Sequence, residues 1–444
     1  MVRSYFNAEA GLLDSKVFSS ARVYRDEIER LFSRAWQWVA PLAWLGRTGD
    51  LVTSAIGETP VVAWRDAQGG LGVYVNRCVA SDEPLTDLER GSADALVCPC
   101  HGWAYGPGEV EGMARPERVA RTASIAGFLF SSLDAEAVAL EQWLGDFSWG
   151  LRLIDQQFPG GLEVHGGTAL RTLIRCNWKV AAEAYAGDVY SDLTLTKATR
   201  EVLEMGAPLT ERQGFQIATR AGAIAVLTEA GERGSETMIP LFATLFPNLS
   251  YDGRGGALHV WHPKGAMETE VHTFCLVGRD EPFEVKENRR RRWQRLFGPA
   301  GFLTQDHAAA WSEVTRATHQ ARSHPLNLQM GLGEERTSKL PGRVSGLASE
   351  MNQRTFYDWW QSQLAAEPPV YLSARQQVVP PYSIPASTCP ASVPRRTPAP
   401  SRLAGAHDRS LQGSRFPFQK ALVVEPASFV AESRFARRPQ GTRG

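Results

Sequence analysis

The segment that most constrains this chain is residues 98–105, which read Cys-Pro-Cys-His-Gly-Trp-Ala-Tyr. Cys98 and His101 stand three positions apart and Gly102 follows at once, so a tight loop can present a thiolate and an imidazole to one metal centre. Twenty positions upstream, Cys78 ends a strand-like run. A metal cluster held by both loops would require them to lie side by side at neighbouring hairpin tips.

The sequence around these loops indicates a small antiparallel β domain. Between about 44 and 130, short β-like runs alternate with turn residues, as at 50–54, 59–64 and 71–76. Regularly spaced short strands of this kind are typical of compact β domains. We assign residues 40–150 to this domain.

The N-terminal segment, 1–39, is predicted to be helical. Apolar residues recur at helical spacing over 15–40, and Ser19 or Ser20 could cap the helix. After the β domain, residues 131–170 are interpreted as a connection with helical pieces.

The third segment, 151–366, combines strands with helices. A helix is predicted to open at 176–183 and to run to about Tyr190, and a β-rich stretch follows at 214–280. Further helices are predicted at 283–296, from about 305, and at 354–364. This order favours an α+β layer, in which an antiparallel sheet is covered by helices on one side.

The last segment, 367–444, differs from the rest in composition. It holds 12 of the 27 prolines and has eleven basic against four acidic residues, a balance of +7, whereas residues 1–366 have a balance of −7. Such unpatterned, proline-rich sequence predicts a disordered tail. A nucleic-acid or membrane arm and an out-of-frame translated end are the alternatives.

The bulk composition of the 444 residues narrows the function classes. Net charge is zero, no apolar run approaches a membrane span, and no signal-peptide core follows the N-terminus. Six scattered cysteines suit a reducing compartment, where paired Cys and His residues more often bind metal than form disulfides. We therefore expect a cytoplasmic protein with neither nucleic acid nor membrane as a partner.

Two loops that each give one Cys and one His are what a Rieske [2Fe–2S] cluster requires, because two thiolates bind one iron and two imidazoles bind the other. Further motifs follow downstream, Asn-Trp-Lys-Val-Ala-Ala-Glu-Ala at 177–184 and Gly-Asp-Val-Tyr-Ser at 187–191. Additional family landmarks lie at 246–250, 260–265, 297–301 and 305–307. In this collinear order, residues 1–365 resemble the α subunit of a Rieske-type aromatic-ring-hydroxylating oxygenase.

The resemblance implies a Rieske β domain on a larger helix-grip domain. It also implies a chemistry in which electrons pass from the [2Fe–2S] cluster to a mononuclear Fe(II) that activates O2 to hydroxylate an aromatic compound. Two histidines and a carboxylate would hold that iron and leave open positions for oxygen. The implied partners are a ferredoxin, its reductase and a β subunit, in a homotrimer or an α/β hetero-oligomer.

Carried over residue by residue, Cys78, Cys98 and His101 match cluster ligands, whereas Ala80 stands where the fourth ligand belongs. Cys100, Asp82 or Glu83 could supply a fourth donor, although Cys100 shares the loop of Cys98 and His101 and should point away from them. We expect no stable cluster, and the alternative of a completed one stays open.

The implied iron site is altered more deeply. Ser191 and Thr196 stand where the two histidines belong, and His307 stands where the carboxylate belongs. Asp188 matches the acid that bridges cluster and iron between neighbouring subunits, and Ala184 replaces an asparagine beside the iron. Hydroxyls are weak neutral donors, so we expect a site without Fe(II).

Three function classes remain. The first is a working oxygenase α subunit, and the second is a non-catalytic scaffold or regulatory subunit that keeps the fold. The third is a protein that binds an apolar small molecule in the helix-grip cavity. Changes at four ligand positions in two centres favour a catalytically impaired member of the family, a pseudoenzyme.

Overall fold

The predicted β-like runs form antiparallel sheets with helices packed against them, which confirms the predicted α+β class. The computed structural model describes residues 4–107, 114–187, 197–230, 236–320 and 324–366. The described residues fall within one compact unit. The predicted tail, 367–444, lies outside them.

The first β domain contains three antiparallel sheets. One has four strands, in the order Leu71–Val75, Thr59–Arg65, Asp50–Ile56 and Arg90–Ser92. The second has the order Arg121–Ile125, Phe128–Ser132 and Gln37–Pro41. The third is a hairpin of Leu96–Val97 and Ala104–Tyr105.

Side-chain alternation along Thr59–Arg65 connects this domain to two apolar clusters. Val62 and Trp64 enter a small cluster that also holds Cys78 and Cys98. The residues that alternate with them, Val61 and Ala63, belong to the larger core that extends into the second domain. Successive residues of a strand point to opposite faces, so one strand buries both of its sides here.

The N-terminal segment is less helical than predicted. Ser20 caps a helix at Ala21–Asp26, accepting a hydrogen bond from the Val23 N–H at 3.3 Å, as expected. The helix continues with π geometry over Glu27–Phe32 and then ends. The prediction of helix up to residue 40 is wrong, because Gln37–Pro41 is a fully buried strand paired with Phe128–Ser132.

The second domain is built on a nine-stranded antiparallel sheet. Its strand order is Leu162–Ile174, Glu268–Gly278, Ala257–Gly265, Leu249–Asp252, Glu236–Leu245, Gly222–Ala230, Gly214–Ala218, Arg343–Gly346 and Arg336–Thr337. The prediction of a connection over residues 131–170 is wrong in its last part, because the first strand of the sheet begins at Leu162. It is 13 residues long, and its register shifts between His165 and Leu170, which interrupts the period-two pattern.

Helices pack on both faces of this sheet, which corrects the prediction of helices on one side. The helix Phe147–Asp155 packs on the face of Ile224, and the helix Met351–Ala365 packs on the opposite face of the same strand, at Ala223. The bounds of the helices are Leu140–Leu144, Phe147–Asp155, Trp178–Ala184, Lys197–Val202, Phe283–Phe297, Phe302–Gln320 and Met351–Ala365. The predicted helix through Tyr190 ends at Ala184 instead. Its N-cap is Asn177, whose Oδ1 accepts a hydrogen bond from the Lys179 N–H at 3.1 Å. Among the described residues, no helix is long and apolar enough to cross a membrane.

A buried ion pair joins three parts of the chain. Lys179 Nζ donates to Glu27 Oε1 at 2.5 Å, and both side chains are fully buried. The indole N–H groups of Trp178 and Trp360 also donate to the Glu27 carboxylate, at 2.9 and 2.8 Å. The Asn-Trp-Lys motif thus fastens the N-terminal π-helical turn and the last helix to the sheet domain.

Candidate metal centre

The loop between Leu96–Val97 and Ala104–Tyr105 is held by its own backbone. The Cys98 N–H donates to the Trp103 carbonyl at 2.9 Å, and the Gly102 N–H donates to the Cys98 carbonyl at 2.9 Å. Gly102 has a φ of +66°, a left-handed conformation that a glycine adopts without steric cost. This turn fixes the position of Cys98 relative to His101.

A second turn positions Cys78 after the strand Leu71–Val75. The Cys78 N–H donates to the Glu83 carbonyl at 2.8 Å, and the Asp82 N–H donates back to the Cys78 carbonyl at 3.1 Å. Asp82 adopts a φ of +58° to close the turn. The loop is therefore closed by backbone hydrogen bonds around the Cys78 thiol.

The two loops meet as predicted. One ligand atom each from Cys78, Cys98 and His101 lies within 4.8 Å of the other two. His101 Nδ1 is 3.6 Å from each of the two Sγ atoms. The thiols are 1% and 0% exposed, whereas the His101 side chain is exposed and its ring lies 5.0 Å from that of Trp103.

A tyrosine that the sequence interpretation missed supports the thiol of Cys78. The Tyr105 hydroxyl donates to Cys78 Sγ at 3.3 Å and accepts a hydrogen bond from the Val79 N–H at 3.3 Å. Burial opposes ionisation of Cys78, but the hydrogen bonds from Tyr105, Ala80 and Ser81 outweigh it and lower its pKa to about 6. Burial raises the pKa of Cys98. Tyr105 is the last residue of the 98–105 segment, which is the one signal that could have identified it.

The fourth ligand position has no donor among the described residues. Ala80 is exposed and carries a methyl group, and Cys100 is also exposed. Neither Cys100 nor the carboxylates of Asp82 and Glu83 join the group of three donors within the described ranges. The set is one ligand short of the two thiolates and two imidazoles that a Rieske cluster takes, so the residues do not fit that cluster.

Of the positions expected around a mononuclear iron, Asp188, Ser191 and Thr196 lie outside the described residues. His307 is described and is buried. Its Nδ1 is 3.3 Å from the Tyr185 hydroxyl, and its ring stacks on Trp311 with the centroids 4.9 Å apart. In the described part of the chain, His307 belongs to no group of three metal donors.

The surroundings of His307 favour a neutral imidazole. Burial, followed by the charges of Arg254 and His259, holds the pKa of His307 well below its usual range. His259 stacks on Tyr185 with the centroids 4.7 Å apart, and its Nδ1 lies 3.1 Å from Thr273 Oγ1. The residue at the expected carboxylate position is thus one ring in a stack of aromatic side chains.

Comparisons with known proteins agree with this combination of a β domain, which holds the Cys78 loop and the Cys98–His101 loop, and an antiparallel sheet with helices packed against it. The family model for the Rieske [2Fe-2S] domain matches residues 35–125, and the model for the ring hydroxylating alpha subunit (catalytic domain) matches 194–366. This chain belongs to the family of Rieske-type aromatic-ring-hydroxylating oxygenase α subunits. The predicted family and fold are confirmed.

Individual relatives match most of the chain. Biphenyl dioxygenase subunit alpha of Paraburkholderia xenovorans (strain LB400) is 29% identical, over 82% of this chain and 93% of its own length. Benzene 1,2-dioxygenase subunit alpha of Pseudomonas putida is 28% identical, over 81% and 92%. The crystal structure of naphthalene 1,2-dioxygenase from Rhodococcus sp. bound to indole has a TM-score of 0.71 and 26% identity, covering 81% of this chain and 95% of that one.

Proposed function

We propose that this chain keeps the fold of an oxygenase α subunit without the family reaction, the O2- and ferredoxin-dependent hydroxylation of an aromatic compound. The observation that carries this proposal is the group of Cys78, Cys98 and His101, which offers three donors where a Rieske cluster takes four. A centre that cannot hold its cluster leaves the family reaction without its electron supply.

The expected iron ligands support the same conclusion independently. Ser191 and Thr196 carry hydroxyls, which remain protonated at neutral pH and bind Fe(II) weakly. At the third position, His307 is buried, neutral and stacked on Trp311, so it supplies no negative charge to offset that of a cation. Loss at either centre is sufficient to stop turnover.

Assembly is the remaining role of such a chain. The relatives are named subunit alpha, or large oxygenase component of a naphthalene 1,2-dioxygenase system. We propose that the chain forms a homotrimer or joins β subunits or active α subunits, as a scaffold or regulatory member. Asp188, which matches the bridging acid between subunits, is retained in the sequence.

Binding of an apolar small molecule is less well supported. One apolar cavity lies between Phe128, Phe147 and Leu151 on one side and the sheet residues Leu249 and Leu258 on the other. Its volume of about 20 Å³ is close to the space that one water needs, so an aromatic ring does not fit. This cavity therefore gives no support for a binding protein.

The test of the proposed function is turnover by the purified full-length chain. The chain is reconstituted anaerobically with iron and sulfide, and a ferredoxin, its reductase and an aromatic substrate of the named relatives are supplied. We expect no hydroxylated product. A matched variant with Ala80→His, Ser191→His, Thr196→His and His307→Asp restores the four altered ligand positions. Hydroxylation by the unmodified chain would overturn the proposal.

A further inference from the structure

We propose that Cys78, Cys98 and His101 bind a single tetrahedral divalent ion of the zinc class, with solvent as the fourth ligand, in place of a two-iron cluster. This inference deepens the proposed function, on which it rests, because one ion without redox chemistry cannot pass electrons to an oxygenase site.

The distances between the donor atoms carry the inference. With Zn–S bonds of about 2.3 Å and Zn–N bonds of about 2.0–2.1 Å, a tetrahedral angle places the sulfur and nitrogen ligands about 3.6 Å apart. His101 Nδ1 lies 3.6 Å from Cys78 Sγ and 3.6 Å from Cys98 Sγ. Both sulfur–nitrogen distances therefore match the spacing of ligands at the corners of a tetrahedron around one ion, and all three donor atoms lie within 4.8 Å of one another.

The same distances disagree with a Rieske cluster. There the thiolates and the imidazoles bind different irons, so a sulfur and a nitrogen are separated by the iron–iron distance as well as by their own bonds. In this structure His101 Nδ1 is as close to each sulfur as ligands of the same ion would be. The three donor atoms thus surround a single metal position, whereas a Rieske cluster has two irons.

The chemistry of the donors suits a divalent ion. Two thiolates and a neutral imidazole give a formal charge of −2, which balances the ion, and binding releases the thiol protons to solvent. The Tyr105 hydroxyl and the Ala80 backbone hydrogen-bond to Cys78, as groups around a metal site do when they orient a ligand. For mixed nitrogen and sulfur donors, Zn²⁺ binds more tightly than Fe²⁺.

The fourth corner faces solvent. His101 and Ala80 are exposed, and within the described ranges no further Cys, His, Asp or Glu joins the group. Three protein ligands and one open position are the arrangement in which Zn²⁺ keeps a water or an exchangeable ligand. Ala80 thus leaves room for solvent at the place where the family resemblance implies a histidine.

The experiment measures metal and sulfide in the full-length protein under a non-thiol reductant. The apoprotein is titrated with Co²⁺, followed by its thiolate-to-cobalt absorption, and Co²⁺ is then displaced with Zn²⁺. We expect one ion per chain, tetrahedral cobalt bands and no acid-labile sulfide. His101→Ala, a change at an exposed side chain, should lower Zn²⁺ affinity by more than about 100-fold, the upper end for losing a group that only orients a ligand, while the circular dichroism spectrum stays that of the folded protein.

Cys100→Ser is the matched control, because this exposed thiol shares the loop but not the donor group, and its Zn²⁺ affinity should equal that of the unmodified chain. Folded protein that binds neither Co²⁺ nor Zn²⁺ overturns the inference and leaves the proposed function standing. Two irons and two sulfides per chain overturn the inference and also remove the observation that carries the proposed function. Equal loss of metal in Cys100→Ser and His101→Ala contradicts the assigned ligand set.

Discussion

The buried ion pair and the group of metal-donor side chains differ in whether the chain itself supplies all of their partners. Around Glu27 and Lys179, each charged group has its partners inside the chain, from the ion pair itself to the indoles of Trp178 and Trp360. Around Cys78, Cys98 and His101, three donors lie close together, and no fourth joins them in the described part of the chain. The first group is completed by the chain itself, and we expect the second to be completed by a ligand from outside it.

The largest effect is expected from breaking the ion pair. Lys179→Met leaves the Glu27 carboxylate buried without its counter-charge, which should lower the free energy of unfolding by about 3–5 kcal/mol. Urea unfolding measures this change. Lys286→Met is the matched control, because that lysine pairs with Glu163 at 3.6 Å near the surface and should cost below about 1 kcal/mol. A small effect of Lys179→Met would show that the motif does not fasten these elements.

The aromatic stack beside His307 should make stability depend on pH. Burial lowers the pKa of His259 to about 4, while the nearby Asp252 raises it and Arg254 lowers it further. The unfolded chain takes up this proton near pH 6.5, so the contribution of His259 is complete above that pH and is lost as pH falls towards 4. Over that window the loss is about 3 kcal/mol.

Urea unfolding of His259→Gln at several pH values measures this dependence. Between pH 6.5 and 4, the free energy of unfolding of the variant should fall less steeply than that of the unmodified chain. His319→Gln, a change at an exposed histidine, is the control for the loss of an imidazole. Parallel pH profiles for the unmodified chain and His259→Gln would contradict the assignment of a neutral, buried imidazole.

A smaller effect is expected at the metal loops themselves. Tyr105→Phe removes the hydrogen bond to Cys78 Sγ and should weaken metal binding about tenfold, the usual effect of a group that orients a ligand. Competition with a chromophoric chelator measures the affinity. Tyr24→Phe, which removes a buried hydroxyl bonded to Glu58, is a control remote from the loops. Equal affinities for Tyr105→Phe and the unmodified chain would remove Tyr105 from the site.

The smallest change in stability is expected for Ala80→His. Because Ala80 is exposed, the apoprotein should change by less than about 0.5 kcal/mol in urea unfolding. After reconstitution with iron and sulfide, Ala80→His should nevertheless retain more iron and sulfide than the unmodified chain, because a fourth donor becomes available. A large loss of stability would mean that the methyl group of Ala80 packs against the domain.

The meeting of the two loops was predicted from the requirement of a shared cluster, whereas the spacing of Cys98 and His101 in one tight turn indicates only that these two donors lie together. The strand Gln37–Pro41 was not predicted, because the periodicity of a short apolar run next to a helix does not distinguish a strand from a continuation of that helix. The strand Leu162–Ile174 was missed because a register shift and Gly166 interrupt its alternation. The role of Lys179 was not predictable, since Glu27 lies 152 residues away and pairs with it through tertiary contact alone.

The most direct measurement of the central claim is electron paramagnetic resonance of the dithionite-reduced protein after anaerobic reconstitution with iron and sulfide. The unmodified chain and Ala80→His are compared at equal concentrations. We predict no signal of a reduced Rieske cluster from the unmodified chain, because Cys78, Cys98 and His101 supply three of the four ligands. A stoichiometric Rieske signal from the unmodified chain would contradict the account.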